Sequence, residues 1–235
     1  MLINRYVDVG LQAEKRLRHT WRNRFVRLTW FLSCHAYAAL KRCIDIAASA
    51  CALLCFAPIL TVIALLIKAH DGGPVLFWQT RVGKWGSPFR FPKFRSMVTN
   101  AEALKSDLAQ QNQHTSGVTF KIQHDPRVTP IGRILRRFSI DEIPQLWCVL
   151  KGEMSLVGPR PALVDEVGQY SIDERQRLHV KPGLTCIWQV SGRADIPFPE
   201  QVALDVEYIE HRTLREDIKL ILKTIPAVIS GRGAY

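Results

Sequence analysis

Three observations predict an α-rich α+β fold held at a membrane. One is an uninterrupted apolar run, "IAASACALLCFAPILTVIALLI" from Ile46 to Ile67, which carries no charge for 22 residues. The second is "VLFWQTRVGKWGSPFRFPKFRSM", which reads as two short strands around a glycine-containing turn at 83–87. The third is helical spacing or capping through most of the chain beyond residue 100. At 235 residues the chain can bury one real core with an appended segment. The expected division is a basic N-terminal segment (1–38), a membrane helix (39–70) and a helical domain carrying the chemistry (71–235).

The apolar run is long enough to cross a hydrocarbon layer about 30 Å thick as a helix. It begins too far into the chain for a signal peptide, and few core helices run so long without a polar face. Pro58 removes a backbone hydrogen bond in mid-segment, so a kink at Ala57-Pro58 is expected. Both flanks are basic: nine Lys/Arg against two acids in residues 1–42, and six against one in residues 68–100. The positive-inside rule places cations on the cytoplasmic side. A re-entrant helix satisfies both ends and a kinked span only one, and both readings stand at this level. Upstream, Leu17, Trp21, Phe25, Leu28 and Leu32 recur at helical spacing among arginines, as in a basic amphipathic helix on lipid headgroups or a basic arm.

Beyond the hairpin, "NAEALKSDLAQQ" from Asn100 is a polar helix with Asn as its cap, followed by a loop punctuated by Gly117, Pro126 and Pro130. Helix resumes from Ile131. Turns fall at Lys151-Gly152 and Gly158-Pro159, with a new helix after Pro161. "KPGLTCIWQVSGR" is strand-like in its middle. In the last helix Ile218, Leu222, Ile225 and Ile229 form one apolar stripe, Pro226 is a kink and Gly231 marks the stop. Amphipathic helices lying at the membrane interface are part of the expected fold.

The excess of 32 Lys+Arg over 21 Asp+Glu favours an anionic partner. The six cysteines show no C-x2-C spacing, which argues for buried free thiols rather than metal clusters or disulfides. Dinucleotide-binding, Walker A, H-E-x-x-H and G-x-S-x-G motifs are absent. Asp205-Val-Glu207 resembles a metal pair but reads as a solvated helix face. What remains is "RILRRFSIDEIPQLW". Ser139 and Glu142 match a capping box, and Asp141 could itself cap a helix with Pro144 in its first turn. A carboxylate so placed is also stabilised as the anion and ready to attack. Around it in sequence stand four basic blocks: Lys93 with Arg95, Arg136 with Arg137, Arg160, and Lys181 with Arg193. Phosphoryl transfer needs cations of this kind. Arg160, fixed between Pro159 and Pro161, suits a bidentate phosphate clamp.

"FPKFRSM", "RRFSIDEIPQLWCVLKGEMSLVGPRP" and "KPGLTCIWQVSGR", in this order after a Pro-broken apolar helix, resemble the bacterial sugar transferases. These are the monotopic polyprenyl-phosphate phosphoglycosyl transferases that start exopolysaccharide, O-antigen and glycan assembly. The resemblance covers roughly residues 38–232. It implies a re-entrant helix bent at Ala57-Pro58, a catalytic domain on the cytoplasmic face of the bacterial inner membrane, and a ping-pong reaction between a UDP-sugar and undecaprenyl phosphate. Asp141 would be the nucleophile and would carry a phosphosugar intermediate while UMP leaves. Glu142 would bind Mg²⁺. Arg160, Lys93, Arg95, and Gln189 with Arg193 of "QVSGR" match substrate-binding positions, and Arg137 and Lys181 complete the basic set.

Two departures stand out. Many relatives break the helix at Ser-Pro, so with Ala57 the hydroxyl bond at the kink is expected to be lost. Cys186 replaces a usual glycine, which questions the local loop geometry. The larger relatives' multi-span N-terminal domain is missing, so a small, minimal form is expected. The rival readings are a glycosyltransferase that releases UDP and a basic membrane-bound nucleic-acid or scaffold protein. No nucleic-acid partner is expected, the sugar leans to galactose or glucose, and homo-oligomerisation stays open.

Overall fold

The computed structural model describes residues 2–104 and 125–231, the side chains of residues 2–34 and of Ala194 excepted. Two compact units divide the chain, Met1–Cys43 and Ile44–Tyr235. The first element is one long helix, α1 (Leu2–Asp71), with Pro58 inside it. Its stretch His35–Asp71 is long and apolar enough to cross a membrane, and only 11% of the most apolar window is buried. Leu54, Ile59, Val62 and Leu65 are all more than half exposed, so no protein core of the described residues covers this face of the helix.

The expected loss of a hydroxyl bond at the kink is corrected. Thr61 Oγ1 donates to the Ala57 carbonyl at 2.9 Å, so a hydroxyl still braces the turn around Pro58, from the other side. Such back-bonding bends helices. The cysteines are also redistributed: Cys148 and Cys186 are buried, whereas Cys43, Cys51 and Cys55 lie exposed on α1.

The lower end of α1 is tied to the rest of the second unit. Ile63 and Ile67 pack with Phe94 and Leu135 in one buried cluster. Further up, the buried carboxylate of Asp45 accepts from the backbone N–H of Leu156 at 3.0 Å. An acid in an apolar helix is costly unless bonded, and here it caps a strand edge.

β1 (Leu76–Val82) and β2 (Pro88–Phe94) form the expected antiparallel hairpin, Leu76 opposite Phe94 and Val82 opposite Pro88. β4 (Ala162–Leu163) adds to the other edge of β1. A second, two-stranded parallel sheet pairs β3 (Ser155–Val157) with β5 (Gly183–Thr185). Phe89 and Phe91 alternate onto one face of β2 and pack on Cys148, Val149 and Met154, which belong to α3 (Leu146–Lys151) and the loop after it. The remaining helices are α2 (Pro130–Arg137), α4 (Val164–Gly168), α5 (Ile187–Ser191), α6 (Phe198–His211) and α7 (Leu214–Ser230).

Local signals account for several boundaries. Thr129 caps α2 through its hydroxyl, with Pro130 opening the helix. Gly231, at φ +62°, ends α7 where expected. Within "KPGLTCIWQVSGR", only Gly183–Thr185 is strand, and the following Ile187–Ser191 is helical. Asn100–Leu104 form a turn, and the rest of the polar helix expected there lies outside the described residues. The apolar stripe of α7 does not face the core: Ile218, Leu222, Ile225 and Ile229 are 51–68% exposed, while Leu220 and Asp217 bury the opposite side.

Candidate active site

The alternation of β2 that buries Phe89 and Phe91 also turns Lys93 inward, its Nζ 5.4 Å from the Phe91 ring centre. Above this strand runs a 3₁₀ turn, Ile140–Gln145, that holds both acids. The turn is launched by Ser139, whose left-handed backbone (φ +53°) reverses the chain straight after α2.

The capping box expected from Ser139 and Glu142 does not form. Ser139's side chain makes no cap bond, and Glu142 looks away from it. Arg160 Nη2 donates to Glu142 Oε1 at 2.5 Å and Nη1 to Oε2 at 3.3 Å, and Lys93 Nζ lies 3.7 Å from Oε1. Asp141 therefore sits within the turn rather than at a helix cap. A bidentate guanidinium–carboxylate pair beats a local cap because charge-assisted bonds are roughly twice as strong as neutral ones. Burial raises the Glu142 carboxyl, but Arg160 and then Lys93 outweigh it and hold it at about 2.

Asp141 is different. It is buried, 6% exposed, and among the described residues it has no hydrogen bond or ion pair. Burial, then the charge of Glu142, pushes its carboxyl up from the ordinary range, against the pull of Lys93, Arg136 and Arg160. The helix-terminus argument for a lowered Asp141 is thus overtaken by desolvation. Of the two adjacent acids, Asp141 is therefore the one whose carboxyl is held up and Glu142 the one held down.

Arg160 is placed by backbone packing. Gly158 N–H donates to Thr185 O at 3.0 Å and Gly183 N–H to Pro159 O at 2.8 Å, locking "GPRP" against "PGLT". A Cβ at Gly183 would lie 2.1 Å from Gly158 N, so no side chain fits there. Cys186, by contrast, has an ordinary extended backbone (φ −149°), so its side chain costs that loop nothing. Its thiol donates to Gln189 Oε1 at 3.2 Å.

Arg81, which sequence reasoning missed, completes the cradle. It donates to the Pro161 carbonyl at 3.0 Å and lies 5.4 Å over Phe91. Burial, then Arg160, lowers it to about 10. Arg193, half-buried at φ +53° after α5, feels the charges of Glu142 and Arg160, and burial lowers it. On α2 it is Arg136 that faces the site. Its Nε donates to Ser96 Oγ at 2.9 Å, and Asp141 is the charge that most favours its protonated form. Arg137 is exposed on the other side of that helix, against its own Phe138. Arg95 is buried in an ion pair with Asp71 at the end of α1, away from Glu142. Lys181 is exposed in the loop before β5.

Five cations (Arg81, Lys93, Arg136, Arg160, Arg193) thus face two carboxylates, leaving positive charge for an anionic ligand. Among the described residues no group of three His, Cys, Asp or Glu has metal-binding geometry, and Glu142 is bonded to Arg160, so a hard cation here would depend on a phosphorylated ligand for most of its oxygens. Asp205 is neither a metal ligand nor a solvated face. It is wholly buried, with Arg177 Nε donating to it at 2.8 Å.

A cation-ringed carboxylate pair, on a body tied to a long apolar helix, defines a site suited to an anionic ligand. The chain belongs to the bacterial sugar transferase family, whose profile matches residues 36–231. It is 46% identical over 213 residues to the galactosyl transferase CpsE of Streptococcus agalactiae serotype III, covering 88% of this chain and 46% of that one. It is 40% identical over 198 residues to the exopolysaccharide production protein ExoY of Rhizobium meliloti, covering 83% and 88%. The undecaprenyl-phosphate galactose phosphotransferase of Salmonella typhimurium is 41% identical over 199 residues, covering 83% of this chain and 42% of that protein. The chain thus spans about half of CpsE and most of ExoY.

Proposed function

We propose that this protein moves a sugar-1-phosphate from a UDP-sugar to undecaprenyl phosphate, with release of UMP. The observation that carries the reading is Asp141, a buried carboxylate with no bonded partner among the described residues, beside Glu142 and the cations that converge on it. An Asp141 oxygen attacks the sugar-bearing phosphorus, and the bond to the bridging oxygen breaks with its electron pair leaving on UMP. A phosphate oxygen of the polyprenyl acceptor then attacks the same phosphorus and displaces Asp141, regenerating the carboxylate. Arg160, Lys93, Arg81 and Arg193 hold the diphosphate and offset the charge that builds on it. Mg²⁺, held by Glu142 together with phosphate oxygens, would supply further charge neutralisation at the leaving group. The names of the relatives support an acceptor of this kind and a hexose, galactose or glucose, as the cargo.

Membrane placement accords with the same reading. The apolar helix enters and leaves by the cytoplasmic leaflet, bent at Ala57-Pro58. The exposed stripe of α7, flanked by Arg215, Lys219 and Lys223, lies on the headgroups with Ile134 of α2 and Phe138 just after it. Convergence of the cations on Glu142, instead of a basic stripe, disfavours the nucleic-acid rival.

Incubation with UDP-galactose or UDP-glucose and undecaprenyl phosphate should release UMP. Release of UDP alone would establish the other glycosyl-transfer chemistry. Without acceptor, intact mass should show a phosphosugar adduct that maps to Asp141. For topology, cysteines at positions 40 and 70 in a cysteine-depleted background should both resist periplasmic labelling, and labelling of either sinks the re-entrant helix.

A further inference from the structure

The reaction leaves one buried acid unused. Asp45 stands directly before the uncharged run of α1 and is only 5% exposed. Between residues 41 and 60 the only buried positions of the helix are Asp45 and Ser49, one turn apart on one face, whereas Ile46 is 42% exposed. Here the helix turns polar residues to the protein body and apolar ones outward, the inverse of a helix on a soluble core. Apolar attraction is non-directional, and with so little apolar surface buried at this end it selects no single register of helix on body. A hydrogen bond to a carboxylate does, because a slide of the helix strips a buried charge of its donor.

The donor is the Leu156 N–H, 3.0 Å from Asp45 Oδ1. Leu156 is the middle residue of β3, whose one strand neighbour among the described residues is β5. Asp45 thus holds the edge of β3 that β5 leaves open. The Leu156 side chain packs against two core clusters, that of Phe89 and Phe91 and that of Val157, Tyr208 and Leu220. Arg160 stands four positions further on, with little slack between. Gly158 and Pro159 are bonded to the β5 segment, and a proline fixes the backbone on either side of Arg160. A displacement at Leu156 is therefore passed along β3 to the guanidinium that meets Glu142. Resting on the function proposed above, we propose that Asp45 is a positioning residue for the active site. Its bond to Leu156 seats the apolar helix on β3 and so fixes where that strand delivers Arg160 to the diphosphate.

The test uses the full chain in nanodiscs. Asp45→Ala removes the acceptor and keeps the helix, since alanine is the strongest helix former. Asp45→Leu does the same with the space filled, so failure of one variant to fold leaves the other. Affinity for inorganic pyrophosphate by calorimetry, and kcat/KM for the UDP-sugar, should each fall on the order of tenfold. Asp45→Asn, whose side-chain oxygen still accepts from Leu156, should recover most of both. The discriminating measurement repeats Asp45→Ala on an Arg160→Lys background. If Asp45 acts through Arg160, the added loss there should be no more than about twofold, whereas a general loss of stability costs the same in both backgrounds. Equal losses in the two backgrounds overturn the proposal. So does unchanged pyrophosphate affinity in Asp45→Ala and Asp45→Leu, or an Asp45→Asn variant as weak as Asp45→Ala. If pyrophosphate affinity follows the expected pattern but no UDP-sugar releases UMP, Asp45 keeps its role and the reaction is overturned instead.

Discussion

Two of the arginine–carboxylate pairs in this molecule, Arg177–Asp205 and Arg160–Glu142, have surroundings that differ. Arg177 and Asp205 form a closed pair between the 174–179 turn and α6, with an Nη2–Oδ2 distance of 2.7 Å. Tyr170 and Phe198 stack against the guanidinium, and Arg177 Nη1 donates to the Tyr170 hydroxyl at 3.1 Å. Charge there is balanced one to one. Burial pushes Asp205 up to about 6, and Arg177 restrains the rise. The Arg160–Glu142 pair has the same chemistry, but it adjoins Lys93, Arg81 and Arg193 in excess and an acid, Asp141, with no bonded partner among the described residues. A balanced pair bridges elements. An unbalanced one is a binding site awaiting the rest of its charge.

The largest expected effect is on the unpartnered acid. Asp141→Asn should cut turnover at least about a thousandfold, because an amide cannot replace the attacking carboxylate. Thermal unfolding should stay near wild type, since no bond among the described residues is lost. An active Asp141→Asn enzyme would reduce the 140–145 turn to a structural feature.

The closed pair should respond in the opposite sense. Arg177→Ala leaves a buried carboxylate uncompensated and should cost about 3–5 kcal/mol in denaturant unfolding. Arg177→Met with Asp205→Leu should recover most of that loss. KM for the UDP-sugar should hold in the folded double variant, and a large rise would join the two pairs into one site.

Arg160→Lys keeps the charge but not the planar fork, so kcat/KM should fall on the order of 10- to 100-fold with little loss of stability. An unchanged kcat/KM would remove Arg160 from the substrate.

The smallest effect is a pH limb. Burial lowers Lys93 to about 8, with Glu142 opposing the drop. Its cation is present below that pH and lost above it, so kcat/KM should decline as pH rises through about 8. Glu142, held at about 2, stays ionised throughout. Lys93→Arg should carry the decline to higher pH, because guanidinium stays protonated. A limb that does not move assigns the decline to another group.

Much of this was legible in the chain itself. The 22-residue uncharged run, the hairpin around Gly83–Ser87, the Gly231 stop and the motif blocks all rest on short-range rules: period, capping and turn chemistry within a few residues. Tertiary structure alone decided which cations meet the acids. Arg136 and Arg137 are neighbours in sequence, but a helix turns successive residues about 100° apart, so only the first faces Asp141. The β1–β2 register sets Arg81 and Lys93 on one face, where Lys93 meets Glu142, and the Gly158–Gly183 crossing brings Arg160 to it, placements that no local pattern encodes. The capping box failed for the same reason: a guanidinium eighteen residues away offered Glu142 a stronger, charge-assisted bond than its own backbone could.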